Sequence, residues 1–252
     1  MSNIPGLTYT TLTYNNHRFP FCYNPQDPSG YGCIHEIVHR NEYKLENYVG
    51  VAGQSIIDIG ANCGLATVIL ALQNPESVIY TFEPDDNLIT LINENVRINN
   101  LTNVKVFNKA VSASSNDKLN LFIHPHYTGG NTCYTDITTF KCHFNTETPT
   151  IKSVDCISLD DIITENNIKS IHLLKIDCEG AEFEIIYNSA LFKTGLVKNI
   201  AGEFHDMKYN SLVKPQHTSI ELLKYVKEYI AGICNICILT IDESGVHCRH
   251  MD

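Results

Sequence analysis

The alternation of short apolar runs with helix-like runs, which begins at residue 55, constrains the fold of this 252-residue chain more than any other feature. Short runs rich in branched apolar side chains predict strands, and longer runs with apolar residues three or four positions apart predict helices. These runs follow one another in the order SIIDIG, LATVILALQ, SVIYTFEP, DNLITLINENVRINN, VKVFNKAVS, IHLLKID, AEFEIIYNS, VKNIAGEFH and TSIELLKYVKEYI. The alternation predicts an α/β fold with a mainly parallel sheet. The last two runs, CNICILTID and VHCRH, flank the turn ESG and predict a C-terminal antiparallel hairpin at one edge.

The chain is predicted to form one domain with an N-terminal extension. Residues 1–50 contain turn-rich stretches such as NPQDPSGYG and then the predicted helix IHEIVHRNEYKLENYV, and we interpret them as a cap on the core. Residues 51–252 carry the alternating pattern. Within them, residues from about 124 to 150 are polar, contain glycine and lack periodicity. A loop of that length inside a compact domain is either functional or disordered.

Charge and composition limit the classes of partner. The net charge is -10, the pI is near 5.5 and the basic residues do not cluster, so a nucleic-acid partner is not expected. The sequence shows no signal peptide and no apolar run of about 18 residues, so we expect a cytoplasmic protein with no membrane partner. The 10 cysteines are then expected to be reduced thiols without disulfides.

Four residues near the C-terminus have spacings found in structural zinc sites: Cys234, Cys237, Cys248 and His250. The segment ICNICILTID alternates like a strand, which would place Cys234 and Cys237 on opposite faces of the sheet. A zinc site is therefore not expected.

The turn DIGANCG connects the first strand of this pattern to the first helix, where a parallel sheet binds its ligands. Gly60 and Gly64 allow a tight turn and a close approach of the backbone to a ligand, although glycines at sharp bends of a plain connection would look the same. A dinucleotide loop would read G-x-G-x-x-G, whereas this turn has G-x-x-x-G preceded by the acid Asp58. Glu83 ends the second strand, where a carboxylate can bind both ribose hydroxyls. These features fit an adenosine that carries a positive charge and no phosphate, as S-adenosylmethionine does.

Several motifs in order resemble the FkbM family of S-adenosylmethionine-dependent methyltransferases. The likeness runs from about residue 50 to 206 through IIDIGANCGLATVILA, IYTFEPDDNLITLINENVRINNLTNVKVFNKAVS, VDCISLDDII, LLKIDCEGAEFEII and AGEFH. The resemblance implies a Rossmann-like, seven-stranded class I methyltransferase fold and O-methylation, commonly of sugar or natural-product hydroxyls. It places Asp58, Gly60, Asn62 and Gly64 on the methionine and ribose side and Glu83 on the ribose. It also places two residues near the adenine, Asn108 and Ala110.

A second acidic cluster follows the fourth strand in the segment LLKIDCEGAEFE. Asp177 and Glu179 lie at a ligand-facing strand end, whereas an acid at Glu182 also suits the first turn of a helix. Methyl transfer from a sulfonium requires alignment of acceptor, methyl carbon and sulfur, and a hydroxyl acceptor must also lose a proton. His205, at the end of the fifth strand, is the predicted base, and Asp177 is the second predicted catalytic residue.

Lys175 lies on the same strand face as Asp177 and is predicted to orient it or the acceptor. Together with Lys175, we predict Glu179 and Tyr127 as acceptor-binding residues, and the nearby Tyr134 and His126 could contact a sugar ring. A divalent ion bound by acids and His205 is the alternative to a bare base. Its predicted ligands are Asp177, Glu203, His205 and Asp206.

Two other functional classes stay open at this stage. A nicotinamide-dependent oxidoreductase could use a similar sheet, although the G-x-G-x-x-G signature is missing. A binding module could have kept the fold without catalysis. For an enzyme, the expected partner is a small-molecule or glycan acceptor; the acceptor's identity and the oligomeric state are left open by the sequence.

Overall fold

The protein is described from a computed structural model over residues 3–50, 52–115, 117–136, 140–141, 148–206, 218–230, 235–241 and 247–251. Strands in these residues form a seven-stranded central sheet, a three-stranded sheet and an N-terminal hairpin. The strands are β1 (Thr8–Tyr14), β2 (His17–Tyr23), β3 (Ser55–Ile59), β4 (Val78–Phe82), β5 (Val104–Phe107), β6 (Ala110–Ser112), β7 (Lys118–Ile123), β8 (Thr150–Ser158), β9 (Ile171–Ile176), β10 (Asn199–His205), β11 (Asn235–Ile241) and β12 (His247–Met251).

The central sheet has the order β12-β11-β10-β9-β3-β4-β5. Its strands pair in parallel except for β12, which pairs antiparallel with β11. This confirms the predicted α/β fold with a mainly parallel sheet and a C-terminal antiparallel hairpin. The chain order changes direction between β3 and β9, which are neighbours in the sheet. Ligands of such sheets bind beyond the strand ends at that point.

Helices cover both faces of the sheet. They are α1 (Pro28–Cys33), α2 (Leu65–Gln73), α3 (Asp86–Ile98), α4 (Leu159–Glu165), α5 (Glu182–Asn188) and α6 (Ser219–Tyr229). Helix α2 is buried from Leu65 to Ala71, whereas α3 is amphipathic and buries Leu88, Leu91 and Ile92, as its spacing predicts. The Asp85 side chain caps α3 by accepting a hydrogen bond from the backbone N–H of Asn87.

The first 50 residues contain a hairpin that the sequence analysis did not predict. Strands β1 and β2 pair antiparallel, and the turn residues Asn15 and Asn16 adopt φ angles of 44° and 65°. Such left-handed angles at both positions are those of the tight turn that suits the twist of a hairpin. The hairpin's side chains join α2 and α3 in one hydrophobic cluster.

The predicted helix over residues 34–49 is wrong in its second half. Helix α1 continues as a π-helix, Ile34–His39, and the chain then leaves helical geometry at Asn41, whose φ is 50°. A second left-handed residue, Lys44, precedes a short 3-10 helix, Leu45–Asn47. The apolar residues Ile34, Val38 and Leu45 still face the core, so their spacing indicated burial correctly but not conformation.

The predicted loop at about 124–150 connects β7 to β8, which pair antiparallel. Its described part includes a 3-10 turn, Thr128–Gly130, and a single bridge between Phe122 and Thr132. Strand β8 also pairs in parallel with β6, which completes the small sheet. The described part of the loop lies against the carboxyl ends of the central strands, because Thr132 Oγ1 donates to the carbonyl of Glu179 at 2.7 Å.

Cys234 and the side chain of Cys248, two of the considered zinc ligands, lie outside the described residues. Cys237 is buried, and its thiol donates to the carbonyl of Glu42 at 3.5 Å. The described cysteines are free thiols. No helix within the described ranges has both the length and the apolar character needed to span a bilayer.

Candidate active site

A cavity of about 400 Å³ lies at the carboxyl ends of β3, β4, β9 and β10. Most of the predicted site residues line it, namely Gly60, Asn62, Glu83, Ala110, Tyr127, Lys175, Asp177, Glu179 and His205. Three predicted cofactor residues are not among its lining residues: Asp58, Gly64 and Asn108. The sequence therefore located the cavity, but these three residues have other contacts.

Gly60 is required by the packing of two strand ends. Its φ is 73°, and a Cβ at this position would lie 1.7 Å from the carbonyl oxygen of Asp177. Gly202 in β10 has the same relation to β9, because its Cβ would lie 1.7 Å from the carbonyl oxygen of Ile176. The predicted reason for Gly60 was space for a ligand. The structure adds a stronger one, which is the close approach of neighbouring backbones.

Gly64 ends the turn with a φ of 82° and precedes the first turn of α2. A Cβ there would meet the Cγ1 atom of Ile92 on α3 at 3.1 Å. Gly64 therefore permits helix packing behind the cavity. The next two residues, Leu65 and Ala66, do line the cavity and bring the N-terminus of α2 to its edge.

Asp58 forms a buried ion pair with Lys175 beneath the turn. The Lys175 Nζ atom lies 3.3 Å from Asp58 Oδ1 and donates to the carbonyl of Gly60 at 2.7 Å. The other carboxylate oxygen of Asp58 accepts from the Thr67 hydroxyl at 2.6 Å. Burial opposes protonation of Lys175, but Asp58 and Asp177 outweigh it and raise the pKa of Lys175. Asp58 thus fixes the turn from below, and Lys175 stays charged.

Glu83 is buried at the end of β4, and its carboxylate is the group in this part of the cavity best suited to accept hydrogen bonds from a ligand. One of its carboxylate oxygens accepts from the backbone N–H of Asn62 at 3.0 Å, and the other accepts from that of Asp85 at 3.0 Å. Burial raises the pKa of Glu83 to about 8, although these two hydrogen bonds act in the opposite direction. Each oxygen keeps a lone pair for a further donor.

The apolar wall beside Glu83 comes from β4, β6 and β7. It is formed by Phe82, Ala110, Val111 and Leu121. Asn108 lies behind this wall, where its amide donates to the carbonyls of Glu83 and Pro84 at 3.3 and 3.2 Å. Asn108 therefore shapes the connection that carries Glu83.

His205 is surrounded by carboxylates at the opposite end of the cavity. Its Nδ1 atom lies 3.0 Å from Glu182 Oε1, and its Nε2 atom lies 3.5 Å from both Glu179 Oε2 and Glu203 Oε1. The second oxygen of Glu182 accepts from the backbone N–H of Gly180 at 2.9 Å. The sequence left open whether Glu182 belongs to the site or only stabilises the first turn of a helix. In the structure Glu182 is the carboxylate closest to His205.

The charges of this cluster are coupled. Burial opposes protonation of His205, but Glu179, Glu182 and Glu203 outweigh it and raise the pKa of His205 well above its usual value. Burial raises the pKa of Glu203 to about 9, with a further contribution from the charge of Asp177. Burial also raises the pKa of Glu179 to about 7, although His205 lowers it. The protonated form of His205 is therefore favoured, and of these two glutamates Glu179 has the pKa nearer to neutrality.

Three of the four predicted metal ligands come together. Asp177, Glu203 and His205 each offer a ligand atom, and these atoms lie within 4.8 Å of one another. Asp206 was expected to join them but does not, because its carboxylate accepts from the N–H and hydroxyl of Ser219 at 2.8 and 2.7 Å. The ammonium group of Lys175 lies 3.8 Å from Asp177, so positive charge is already present beside this cluster.

The N-terminal cap supplies a wall of the cavity that the sequence analysis missed. Cys33, Glu36 and Tyr43 line the cavity from this segment. Burial raises the pKa of Glu36 to about 7, with contributions from Glu42 and Asp177. The pattern of the cap gave no signal for these positions, because they face the cavity from the end of α1, from the π-helix and from an irregular turn.

The described loop after β7 closes over the same wall. Asp27 accepts from the N–H of Thr128 at 3.3 Å and from its hydroxyl at 2.5 Å, and the N–H of Gly129 donates to Ser29 at 2.8 Å. Tyr127 lines the cavity at 38% exposure. Tyr134 also lines the cavity, whereas His126 is exposed outside it.

Comparison with known proteins gives a family match and a curated relative. Residues 58–229 match the family described as Methyltransferase FkbM domain. A protein of Beauveria bassiana (strain ARSEF 2860) called Methyltransferase 1 is 28% identical over 163 residues, which cover 61% of this chain and 65% of that protein. The match thus spans just under two thirds of the relative's length.

Solved structures include distant likenesses. A SAM dependent methyltransferase from Agrobacterium tumefaciens has a TM-score of 0.39 and 9% identity, covering 96% of this chain and 54% of that one. A Precorrin-6y C5,15-methyltransferase from Geobacter metallireducens GS-15 has a TM-score of 0.38 and 12% identity, covering 83% and 80%. Likeness at this level has no bearing on substrate or mechanism.

Proposed function

The chain belongs to the FkbM methyltransferase family, and from this premise we propose that it is an S-adenosylmethionine-dependent O-methyltransferase. Its proposed acceptor is a hydroxyl of a sugar, a glycan or a glycosylated small molecule. One observation carries the proposal: a single cavity joins Glu83 at one end to the charged cluster around Asp177 and His205 at the other. The first end has the chemistry of a nucleoside site, and the second has that of a hydroxyl acceptor site.

The residues at the Glu83 end fit the adenosine of the cofactor. A buried carboxylate with free lone pairs suits the two ribose hydroxyls, and the apolar wall formed by Phe82, Ala110, Val111 and Leu121 suits a purine ring. Glu83 follows β4 and Asp177 follows β9, with β3 between them, so about 10 Å separates the two ends across the sheet. That span suits a ligand of nucleoside size with its reactive group at the acceptor end.

The middle of the cavity would hold the methionine part. The N-terminus of α2 reaches the cavity at Leu65 and Ala66, and a helix N-terminus favours an anionic group such as the cofactor's carboxylate. The acids at the other end favour a positive charge. When bound, S-adenosylmethionine supplies an electrophilic methyl carbon on a positively charged sulfur.

The acceptor end must align a hydroxyl and take its proton. In methyl transfer, the acceptor oxygen would take this methyl group, and a carboxylate of the cluster would accept the proton of the hydroxyl. His205 was the predicted base, but the carboxylates around it raise its pKa and favour its protonated form, which cannot accept a proton. We therefore assign proton acceptance to Asp177 and Glu179, with charged His205 holding Glu179 in place. Lys175 fixes Asp177 from the other side.

A divalent ion at Asp177, Glu203 and His205 is the second mechanism that the geometry supports. These atoms could bind such an ion only with loss of the proton on His205, and the ion would lower the pKa of the acceptor hydroxyl. Loss of transfer after chelation, with recovery on addition of magnesium, would favour this mechanism. Unchanged transfer in a chelator would favour the carboxylate base.

The first test of the proposal is calorimetric titration with S-adenosylmethionine, S-adenosylhomocysteine and NAD in parallel. We expect micromolar binding of the first two compounds and no binding of NAD. Binding of NAD alone would point to the oxidoreductase alternative. A folded protein that binds none of the three would contradict the proposed cofactor and favour a non-catalytic module.

The second test measures transfer of a tritiated methyl group from S-adenosylmethionine to a panel of glycosides, free sugars, amines and carboxylates. We expect label on hydroxyl-bearing glycosides, and recovery of the labelled position as an ether. Label found only on amines or carboxylates would agree with a methyltransferase but would contradict the proposed O-methylation of sugars.

A further inference from the structure

Tyr43 lies in the N-terminal cap, outside the family match at residues 58–229, yet it contacts the centre of the proposed acceptor site. Its side chain is buried, with 3% exposure. Its hydroxyl donates to Asp177 Oδ2 at 2.5 Å, and the Lys175 ammonium lies 5.6 Å from the centre of its ring. The cap therefore contacts the residue that directly follows β9 of the central sheet.

The backbone on both sides of Tyr43 is held in an unusual conformation. Asn41 and Lys44 have φ angles of 50° and 53°, in the left-handed region that non-glycine residues rarely adopt. Asn41 is fixed by two side-chain hydrogen bonds, from the Tyr14 hydroxyl at 2.7 Å and to Glu46 Oε1 at 2.7 Å. Because Tyr14 ends β1, the hairpin secures the turn that presents Tyr43. Strained backbone that is maintained by specific contacts is typical of functional positions.

Two neighbours contact the same oxygen of the Asp177 carboxylate. The Lys175 ammonium lies 3.8 Å from Asp177 Oδ2, and the Tyr43 hydroxyl donates to that oxygen at 2.5 Å, so the hydroxyl makes the closer contact. A hydrogen bond to a carboxylate is short, directional and stronger than one between neutral groups.

We propose that Tyr43 is a positioning residue that fixes the Asp177 carboxylate in the orientation needed to align and deprotonate the acceptor hydroxyl. This inference rests on the proposed methyl transfer. It means that the site is completed by a segment beyond the sequence region that defines the family. Tyr43 acts through Asp177, so its loss affects transfer while the Glu83 end of the cavity keeps its contacts.

The test compares Tyr43→Phe with Tyr48→Phe, a control that removes a hydroxyl from an equally buried tyrosine of the same segment. The readouts are the thermal midpoint, the Kd of S-adenosylhomocysteine and the rate of tritiated methyl transfer at saturating acceptor. We expect Tyr43→Phe to lower kcat by about ten- to a hundredfold, because small misplacements of catalytic groups have effects of this size. Its Kd should stay within about twofold of the wild type, and Tyr48→Phe should change neither value.

A double-mutant cycle separates positioning from a general structural effect. In an Asp177→Ala background, Tyr43→Phe should have little further effect on kcat, because the group that it positions is gone. Equal effects of Tyr43→Phe in both backgrounds would overturn the proposal. If the Asp177→Ala background is too slow to measure, a crystal structure of Tyr43→Phe decides: Asp177 turned toward Lys175 supports the proposal, and an unmoved Asp177 overturns it.

The failure of this inference can be told apart from the failure of the proposed function. A wild-type protein that binds the cofactor and transfers the label, together with a fully active Tyr43→Phe variant, would contradict only the role of Tyr43. A wild-type protein that binds no cofactor or transfers no label would contradict the function itself.

Discussion

At the scale of single residues, Glu83 has the clearest consequence for function. Its carboxylate is buried, has a pKa raised to about 8 and faces the part of the cavity that suits adenosine. Ribose hydroxyls donate hydrogen bonds, so they favour the ionised form of Glu83. Binding must therefore compete with protonation below that pKa, and the affinity for a nucleoside is linked to pH.

We predict that adenosine binds more tightly as the pH rises through about 8, where Glu83 ionises. Adenosine is the suitable probe because it has no group that titrates near neutrality. Glu83→Gln should weaken binding at pH 9 by about 1.5–3 kcal/mol, the value of a hydrogen bond to a charged group, and should flatten the pH dependence. Glu76→Gln, at an exposed position, is the control, and calorimetry at several pH values is the measurement. A pH dependence that persists in Glu83→Gln would assign the effect to another group.

Gly60 and Gly202 pack against the backbone at the end of β9, so a side chain at either position is expected to lower the stability of the fold. Gly60→Ala would place a methyl group 1.7 Å from the carbonyl oxygen of Asp177, and backbone cannot move aside easily. We expect a loss of unfolding free energy on the order of 3 kcal/mol or more, measured by urea denaturation. Gly53→Ala is the matched control, because its φ is similarly positive at 79° but nothing lies within 4 Å of the added atom. It should lose only about 1–2 kcal/mol from backbone strain. Equal losses in both variants would show that the positive φ angle, and not the contact with Asp177, determines the loss of stability.

At the scale of elements, the alternating core was predictable and the cap was not. Strands β3, β4, β9 and β10 and helices α2 and α3 follow from apolar periodicity, because burial of one face fixes their pattern. The glycine turn and the acids at the strand ends were predictable for another reason. The topology of a parallel sheet places the carboxyl ends of its strands at one edge, where ligands bind.

The missed parts depend on contacts between distant segments. The alternating TYTTLTY and the pair Asn15 and Asn16 carried a hairpin signal that could have been used. The break at Asn41 had no such signal, because its left-handed conformation is stabilised by Tyr14 at the end of β1 and by Glu46 in the short helix that follows. The partners of His205 were likewise hidden, since the pKa of an imidazole depends on which carboxylates the fold brings near it.

The contact between the cap and the loop after β7 predicts coupled opening. Asp27 is bonded to Thr128, and Ser29 to Gly129, across about 100 residues of sequence. In Asp27→Ala we expect faster amide exchange at Thr128 and Gly129, by up to about tenfold for a loss near 1.4 kcal/mol. The acceptor KM should rise, and the cofactor Kd should be unchanged. Hydrogen–deuterium exchange measures the first effect, with Asp117→Ala as a remote surface control. Unchanged exchange at both amides would mean that the two segments are held by other contacts.

At the scale of the whole molecule, the site makes stability depend on pH. Glu83 and Glu203 have pKa values of about 8 and 9 in the folded protein, against an ordinary value of 4.5. The folded state therefore binds more protons than the unfolded state over this interval, and its stability falls as the pH rises. His205 acts in the same direction, because its raised pKa stabilises the fold below 6.5 and this contribution is lost at higher pH.

We predict that the free energy of unfolding decreases steadily from about pH 5 to pH 9, as measured by urea denaturation at each pH. Glu83→Gln and Glu203→Gln should each reduce the slope, since a neutral amide needs no proton to remain buried. Glu228→Gln, outside the cavity, should leave the slope as it is. A stability maximum near pH 8 in the wild type would contradict this account.

The shared hydrophobic cluster has a consequence for how the protein can be divided. Phe19, Phe21, Leu45 and Tyr48 from the cap pack in one cluster with Val68, Ile69 and Leu70 of α2, although the family match begins only at residue 58. A boundary drawn from sequence similarity would thus cut through the interior and expose the buried face of a central helix. The family match and the hydrophobic cluster therefore have different bounds in this chain. Transferring residues 58–229 to another protein would require the cap to travel with them.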